Sequence, residues 1–332
     1  MNTKFHEFLS IKTKVMCKKI LLFIIVSLSI SQSVSAQYDP TYTQYMFNEM
    51  FINPAYAGTK EAMSATLMRR DQWVTFPGRP ATTAFSLNGP VMGNKMGLGL
   101  SVLNDRIGVF NRNLIYGSYA YRLKLDEKQT LSFGLSAGID NQTNRYGDLK
   151  LTDVSGAPAD PLLNANAPSL TGLNFGTGMF YTTKTFYGGI SIPRLLDNFA
   201  GFNSTASRAY KITEIRANNF TYYIVAGNVF KINEDLLLKA TTMFKVVRDA
   251  PVQMDLTANF LIQKFIWAGL DYRNNSAIAA ILGWQVNKQL MVSYSYDYGL
   301  NKIQLYSQGT HEIVLNYIFA YKGKNVVTPR YF

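Results

Sequence analysis

The sequence predicts an all-β protein, an antiparallel transmembrane β-barrel of about 14 strands with both chain ends on the periplasmic side. Three observations lead to this prediction. Apolar residues alternate with small or polar ones in segments of about 8 to 11 residues, which is the period of a β-strand. The number of segments is even, and short connections alternate with longer ones. Charged residues make up only 16% of the 332 residues, against about a quarter in soluble domains.

Each predicted strand has one strongly apolar face and one small or polar face. Phe133, Leu135 and Ile139, for example, alternate with Ser136 and Gly138. The predicted strands are 62–69, 81–88, 95–103, 113–123, 130–140, 171–182, 185–192, 221–230, 236–246, 253–262, 265–273, 277–286, 289–297 and 310–319. Large apolar residues do not suit the lumen of so wide a barrel, so we expect the apolar face to meet lipid. An exported β-sandwich or lipocalin-like barrel, with that face inward, is the alternative.

The connections predict the orientation of the barrel. Those after the even-numbered strands are all short, whereas 141–170 and 193–220 are long; the short odd connections 247–251 and 274–276 fit less well. Bacterial outer-membrane barrels have short periplasmic turns and longer extracellular loops. We therefore expect the two long loops outside the cell and both ends of the barrel chain in the periplasm.

Two segments precede the strands. Lys18 and Lys19, the apolar run 20–30 and the small residues before Gln37 predict a secretory signal peptide at 1–36, for which Met16 is an alternative start. The following lead-in, 37–61, does not alternate. We expect it to be either a structured periplasmic segment with aromatic residues in the barrel mouth or a solvated arm. The barrel is predicted at 62–320 and a periplasmic tail at 321–332.

The composition excludes several kinds of site. Removing residues 1–36 takes away five Lys, one Glu and the single Cys, so the net charge falls from +12 to +8 and His311 is the one remaining histidine. No zinc site of Cys and His and no Cys nucleophile is then available. His311 and Glu312 are neighbours in a strand and point to opposite faces, which argues against a catalytic dyad. We predict no catalytic residue, metal or cofactor, and no nucleic-acid partner; the basic excess fits anionic lipid or polysaccharide.

Motifs in order along the chain resemble those of the PorP/SprF family of the type IX secretion system. They are Q-Y-M-F-N (44–48), N-P-A-Y-A-G (53–58), R-R-D-Q-W (69–73), G-R-P (78–80), L-N-D-R-I-G (103–108), Y-A-Y-R-L (119–123), L-S-F-G-L (131–135), Y-S-Y-D (294–297) and H-E-I (311–313). Arg79 departs from the small residue expected in the family.

The resemblance implies an outer-membrane component that helps to export or attach large adhesin-like proteins. Its implied partners are periplasmic ring subunits of the machinery and the exported protein, besides outer-membrane lipid. The candidate partner-contact residues are Gln44, Tyr45, Phe47, Asn48, Asn53, Pro54, Gly58, Arg70, Trp73, His311 and Glu312. A diffusion pore for small solutes is the alternative function, and a barrel hydrolase is a third.

Several single residues have two interpretations. Trp73 is either a partner anchor or part of a lipid-facing girdle. The aromatic side chains of Tyr294, Tyr298 and Tyr317 also suit such a girdle. The charged pairs 69–71 and 105–106 are predicted loop ion pairs or partner contacts. The strand glycines are expected to relieve crowding on the inner face; they are Gly97, Gly99, Gly134, Gly138, Gly176 and Gly178.

Overall fold

The structure is a computed structural model that describes residues 40–145, 169–203, 208–215, 217–248 and 250–319. The predicted signal peptide (1–36), most of the connection 141–170 and the predicted tail (321–332) lie outside these residues.

Among the described residues, fourteen antiparallel strands form a closed barrel, and the first strand pairs with the last to close it. These strands are β1 (Ser64–Asp71), β2 (Ala81–Val91), β3 (Met96–Ile107), β4 (Phe110–Lys124), β5 (Thr130–Asn144), β6 (Leu170–Thr182), β7 (Phe186–Ile192), β10 (Thr221–Lys231), β11 (Leu236–Val247), β12 (Gln253–Ile262), β13 (Ile266–Arg273), β14 (Ala277–Gln285), β15 (Leu290–Gly299) and β16 (Thr310–Ile318). All fourteen predicted strands are confirmed, with their ends moved by a few residues.

The two faces of the wall follow the alternation in the sequence. In β5, Phe133, Leu135 and Ile139 are exposed on the outside, whereas Ser132 and Ser136 are buried inside. The same pattern repeats around the barrel, and it confirms that the apolar face points outward. The soluble alternative, which requires the apolar face inside, is wrong. Lipid is the medium in which such an apolar outer belt is stable.

The two ends of the barrel differ in their connections. One end carries the turns 92–95, 125–129, 183–185, 232–235, 263–265 and 286–289, and we call it the short-turn end. The other, the long-loop end, carries the connections after β5 and β7. The strand ends Ser64 and Ile318 pair with each other at the short-turn end. The connections predicted to be short thus share one end and the two long ones share the other, although the long-loop end also carries the short connections 108–109 and 274–276.

The connection 193–220 contains a hairpin that the sequence analysis missed. Strands β8 (Asp197–Asn203) and β9 (Arg208–Glu214) form a two-stranded sheet apart from the barrel. Neither segment has the long apolar alternation of a membrane strand, which is why the pattern did not reveal them. No helix in the described part of the chain is long and apolar enough to cross a membrane.

Candidate functional site: the lead-in inside the barrel

The lead-in lies inside the barrel; it is not a solvated arm. Every residue from Tyr42 to Thr59 is buried except Phe51, which is half-buried. A segment this short cannot form a hydrophobic core of its own, so its buried side chains, among them Tyr45, Met46 and Tyr56, depend on contacts with the inner wall. The lead-in is thus built into the barrel interior.

Local chemistry shapes the lead-in into three short 3-10 turns, Tyr45–Phe47, Glu49–Phe51 and Pro54–Tyr56. The side-chain oxygen of Asn53 accepts a hydrogen bond from the Ala55 N–H at 2.9 Å, which caps the third turn. Pro54 supplies the fixed φ that suits its first position. Gly58 has a φ of +77°, a left-handed conformation that favours glycine. The turns predicted at Asn53-Pro54 and at Gly58 are confirmed.

The lead-in runs along the lumen from the long-loop half to the short-turn end. Thr43 contacts Asp297, which lies close to the long-loop end of β15. Gly58 donates from its N–H to the Asn88 side chain at 3.2 Å, and Asn88 pairs with Ser64 at the short-turn end. Between these points the segment contacts strands on opposite walls, because Tyr45 donates to Thr241 at 3.1 Å.

A buried arginine cluster holds the start of the lead-in. Arg70 donates to Glu312 and to Asp297, each at 2.8 Å, and to the Thr43 hydroxyl at 2.9 Å. Glu312 in turn accepts the backbone N–H groups of Thr43 and Gln44 at 3.0 and 2.8 Å. Charge-assisted hydrogen bonds of this kind are the strong ones in a dry environment. The carboxylate of Glu312 therefore links the barrel wall to the lead-in.

A second guanidinium completes the cluster. Arg273 donates to Asp255 at 2.9 Å and to the Tyr42 carbonyl oxygen at 3.2 Å, and its nearest nitrogen lies 3.6 Å from Asp297. The Asp271 carboxylate lies 4.0 Å from the Arg273 guanidinium. The arginine cluster, as we use the term, comprises Arg70, Arg273, Asp255, Asp271, Asp297 and Glu312. Each buried charge faces an opposite one, as burial in low dielectric requires.

Nearer the short-turn end, a second charged group lies against the middle of the lead-in. The Lys239 ammonium donates to the Met46 carbonyl oxygen at 3.1 Å and lies 5.6 Å from the ring centres of Phe47 and Tyr187. Burial raises the pKa of Glu49 to about 7, an effect that the charge of Lys239 opposes. Burial also lowers the pKa of Lys60 to about 8. The lead-in therefore carries titratable groups whose protonation depends on its burial.

Wall glycines let the backbone of the lead-in approach closely. A Cβ on Gly97 would lie 2.0 Å from the Ala57 carbonyl oxygen, and one on Gly134 would lie 2.1 Å from the Ala55 nitrogen. A Cβ on Gly178 would lie 2.2 Å from the Asn53 side-chain oxygen. Any side chain at these positions would displace the lead-in. The prediction that the glycines relieve crowding on the inner face is confirmed. Gly97, Gly99, Gly134 and Gly178 accommodate the lead-in, whereas Gly138 lies against Tyr116 and Gly176 against Pro193.

Comparison with known proteins identifies the chain. The family described as "Type IX secretion system membrane protein PorP/SprF" matches residues 34–317. The chain belongs to the PorP/SprF family. It is an outer-membrane β-barrel of the type IX secretion system. No curated protein sequence matches it.

Three solved structures that are similar to this PorP/SprF chain are distant from it in sequence. One is described as "CymD monoaromatic hydrocarbon channel", with a TM-score of 0.48 at 13% identity over 87% of this chain and 95% of that one. Another is a FadL homologue from Pseudomonas aeruginosa, with a TM-score of 0.48 at 12% identity over 85% and 95%. A third is the Ralstonia pickettii toluene transporter TbuX, with a TM-score of 0.47 at 10% identity over 88% and 97%.

Nine of the eleven candidate residues meet in the lumen. Besides the contacts already described, the Gln44 amide donates to the Glu312 carbonyl oxygen at 3.1 Å and Phe47 packs edge-on against Trp267 with ring centres 5.6 Å apart. Asn48 accepts a hydrogen bond from Ser86 at 2.8 Å. The family motifs 44–48 and 53–58 thus supply the lead-in, and R-R-D and H-E-I supply the wall that binds it. Direct contact of these residues with a partner stays a prediction.

The other two candidates lie outside the lumen. Trp73 is half-buried at the long-loop end, where its backbone N–H donates to the Thr310 hydroxyl at 3.2 Å. His311 points outward between Tyr294, whose hydroxyl is 2.6 Å from the His311 Nδ1, and Tyr296. Because Glu312 points inward, the two residues face opposite sides, as predicted. The structure leaves both interpretations of Trp73 in place.

The predicted ion pairs are partly correct. Arg69 and Asp71 form an exposed pair at 2.8 Å, but Arg70 between them points into the lumen. Asp105 accepts a hydrogen bond from Thr82 at 2.6 Å inside the barrel, whereas Arg106 is exposed. Adjacent strand residues point to opposite faces, which explains why a pair of sequence neighbours did not form there.

The charges of the inner wall were not predicted. The inner face of each strand was expected to be small or polar, whereas its buried residues include Lys239, Lys245, Asp255, Asp271 and Arg273. The alternation alone assigns these residues to the inner face, so the signal was present in the sequence. The role of these charges in binding the lead-in required the structure. The part of the chain that the structure describes contains no cluster of His, Cys, Asp and Glu suited to a metal ion.

Proposed function

We propose that this chain acts in type IX secretion through protein contacts at the two ends of a closed barrel, without catalysis. Its role is the export or surface attachment of adhesin-like proteins. Membership of the PorP/SprF family supports the secretion role. The occupied lumen is the observation that carries the contact role, because a barrel blocked along its axis offers its ends and loops to other proteins.

The lead-in has bonding partners around much of the wall. Its polar and backbone groups bond to β2, β6, β7, β11, β13, β15 and β16. Its backbone also lies against the glycines of β3 and β5. A solute pathway needs a continuous water-filled channel. These contacts hold the lead-in across the lumen, where such a channel would have to pass. This argues against the diffusion pore.

The proposed orientation has the short-turn end in the periplasm, facing the ring subunits of the machinery. The exported protein then meets the long-loop end. Lys288 and Lys302 are exposed in turns at opposite ends of β15, which makes them a matched pair for labelling. The chain's single cysteine, Cys17, lies in the predicted signal peptide.

Single-cysteine variants Lys288→Cys and Lys302→Cys, treated in intact cells with a membrane-impermeant maleimide, test this orientation. We expect label on the variant at 302 and none on the variant at 288 until the outer membrane is permeabilised. The reverse pattern would contradict the orientation.

The secretion role is tested by affinity purification of the tagged chain from outer membranes, with mass spectrometry of the proteins that accompany it. We expect periplasmic ring subunits of the type IX machinery and a large exported surface protein. Deleting 146–168 or 197–214 is expected to remove the exported protein and to leave the ring subunits. Recovery of the exported protein at the wild-type level in both deletions would refute its assignment to these loops, and a barrel purified without either partner would refute the proposal.

A further inference from the structure

A groove of about 520 Å³ lies on the outer wall of the barrel, where β13, β14, β15 and β16 pass side by side. Leu282 and Trp284 of β14 line it and are 61% and 57% exposed. Tyr294 and Ile313 line it from the next two strands and are exposed as well. All four belong to the outward apolar face of their strands. The groove therefore opens sideways, toward the lipid that surrounds the barrel.

Differences in side-chain size between neighbouring strands form the groove. Trp284 lies directly opposite Ile266 on one side and Val292 on the other, and both of these shorter side chains are half-buried. One row closer to the long-loop end, Tyr294 lies between Leu282 and Ile313. The depression thus lies in the short-turn half of the wall, beside a projecting indole. Its volume falls within the range of ligand sites, roughly 300–1,000 Å³.

The polar side chains of the lining are occupied or point elsewhere. The Tyr294 hydroxyl lies 2.6 Å from the His311 Nδ1, and the Ser293 hydroxyl donates to Gln44 inside the lumen. Trp284 ends β14 near the short turns, where its amphipathic ring suits a membrane interface. A peptide backbone in the groove would lack hydrogen-bond partners there, which is costly in lipid. A hydrocarbon chain needs no such partner.

Two lysines lie at the short-turn edge of the groove. Lys264 directly precedes Phe265, which lines the groove, and Lys288 lies in the turn that follows β14; both are exposed. The Gln285 N–H donates to the Phe265 carbonyl oxygen at 2.7 Å, which extends the pairing of β13 and β14 to this edge. Basic side chains beside a membrane surface attract anionic headgroups. An apolar groove that ends at two ammonium groups matches a lipid with one phosphate and a long chain.

We propose that this groove binds one acyl chain of a glycerophospholipid, with the phosphate of that lipid at Lys264 and Lys288. The lipid belongs to the membrane leaflet at the short-turn end. The proposal assigns a single site on one side of the barrel, which the general contact of the outer belt with lipid does not. It rests on the outer wall alone, so it is independent of the protein contacts proposed for the two ends.

Filling the groove tests the acyl-chain part of the proposal. Val292→Trp places a ring in the groove, whereas the matched control Val102→Trp places the same ring on the outward face of β3, also at a half-buried position. Native mass spectrometry of the purified full-length chain in detergent micelles counts the molecules of added dioleoyl phosphatidylglycerol that stay bound. We expect one retained lipid on the wild type and on Val102→Trp, and about tenfold weaker binding to Val292→Trp, a change of about 1.4 kcal/mol.

Two results of this experiment would overturn the proposal. Equal retention of lipid by the wild type and Val292→Trp would show that lipid binds around the belt without this site. A dimer of the wild type that retains no lipid and is lost in Val292→Trp would assign the groove to a second copy of the chain.

The headgroup part has a separate test, which stays informative if Val292→Trp fails to fold. The double variant Lys264→Gln, Lys288→Gln is compared with Lys128→Gln, Lys184→Gln, which removes the same charge from exposed positions in two other short turns. We expect the first pair to weaken phosphatidylglycerol binding by about fivefold for each lysine removed. The second pair should bind lipid as the wild type does. Equal weakening by the two pairs, or none by either, would overturn the assignment of the phosphate to Lys264 and Lys288.

Discussion

Replacing Arg70 by alanine should weaken the attachment of the lead-in far more than replacing its neighbour Arg69. The Arg70 side chain is 2% exposed and pairs with Asp297 and Glu312, which are 3% and 0% exposed. Its loss leaves two carboxylates buried without it, a change that costs roughly 3–5 kcal/mol in buried ion pairs. The Arg69 side chain is 47% exposed, and its pair with Asp71 is worth about 0.2–1 kcal/mol.

Tryptophan fluorescence during urea unfolding in detergent micelles measures the difference. Trp267 packs edge-on against Phe47 of the lead-in, so its emission reports whether the lead-in is bound. Arg70→Ala should lower the free energy of unfolding by several kcal/mol and expose the lead-in to protease in the folded barrel. Arg69→Ala is the matched control, with a neighbouring position and the same truncation. Equal unfolding free energies for the two variants would refute the assigned role of the arginine cluster.

Two further predictions concern the same segment. Gly97→Ala should displace the lead-in and make it sensitive to protease, because the new Cβ would lie 2.0 Å from the Ala57 carbonyl oxygen; Gly117→Ala, whose nearest atom would be 3.9 Å away, should behave as the wild type. Burial raises the pKa of Glu49 from 4.5 to about 7, so the bound state holds the proton more tightly than the released one. The Glu49 contribution to binding of the lead-in should therefore weaken as the pH rises from about 4.5 to about 7, whereas Lys60, whose pKa burial lowers from 10.5 to about 8, should favour binding as the pH rises through that higher range. Glu49→Gln should flatten this pH dependence in a protease-protection titration, whereas Glu61→Gln, at an exposed position, should keep it; an unchanged slope in Glu49→Gln would contradict the assignment.

The barrel could be predicted from the sequence because each strand must carry its own lipid-facing pattern. Phe260 and Ile262 in β12 reveal their strand without reference to any other part of the chain. The turns follow from the same periodicity. The hairpin of β8 and β9 lies outside the lipid belt, so no such constraint marked it.

The position of the lead-in could not be predicted in the same way. Many of its hydrogen bonds are made to residues far away in sequence, as when Gln44 bonds to Glu312. A local sequence pattern carries no information about that pairing. The motifs did bring Gln44, Asn53, Arg70 and Glu312 to attention through the family resemblance. Their shared function, binding of the lead-in to the wall, required the structure.

The orientation of the lead-in also corrects a simple expectation. From the sequence, we expected either a periplasmic segment with aromatic residues in the barrel mouth or a solvated arm. Thr43 instead bonds to residues near the long-loop end, and the segment reaches the short-turn end only near Gly58. The charges at opposite ends of the lumen explain this course, because Arg70 and Arg273 hold its start while Lys239 holds its middle.

The conductance of the purified full-length protein in a planar lipid bilayer shows most directly whether the lumen is closed. We expect no stable open channel for the wild type, because the lead-in occupies the lumen. Gly97→Ala and Arg70→Ala, measured in the same bilayers, should show intermittent openings as the lead-in leaves the wall. Steady single-channel currents from the wild type, with proteins of the secretion machinery absent from its purification, would contradict the closed barrel and establish the diffusion pore in its place.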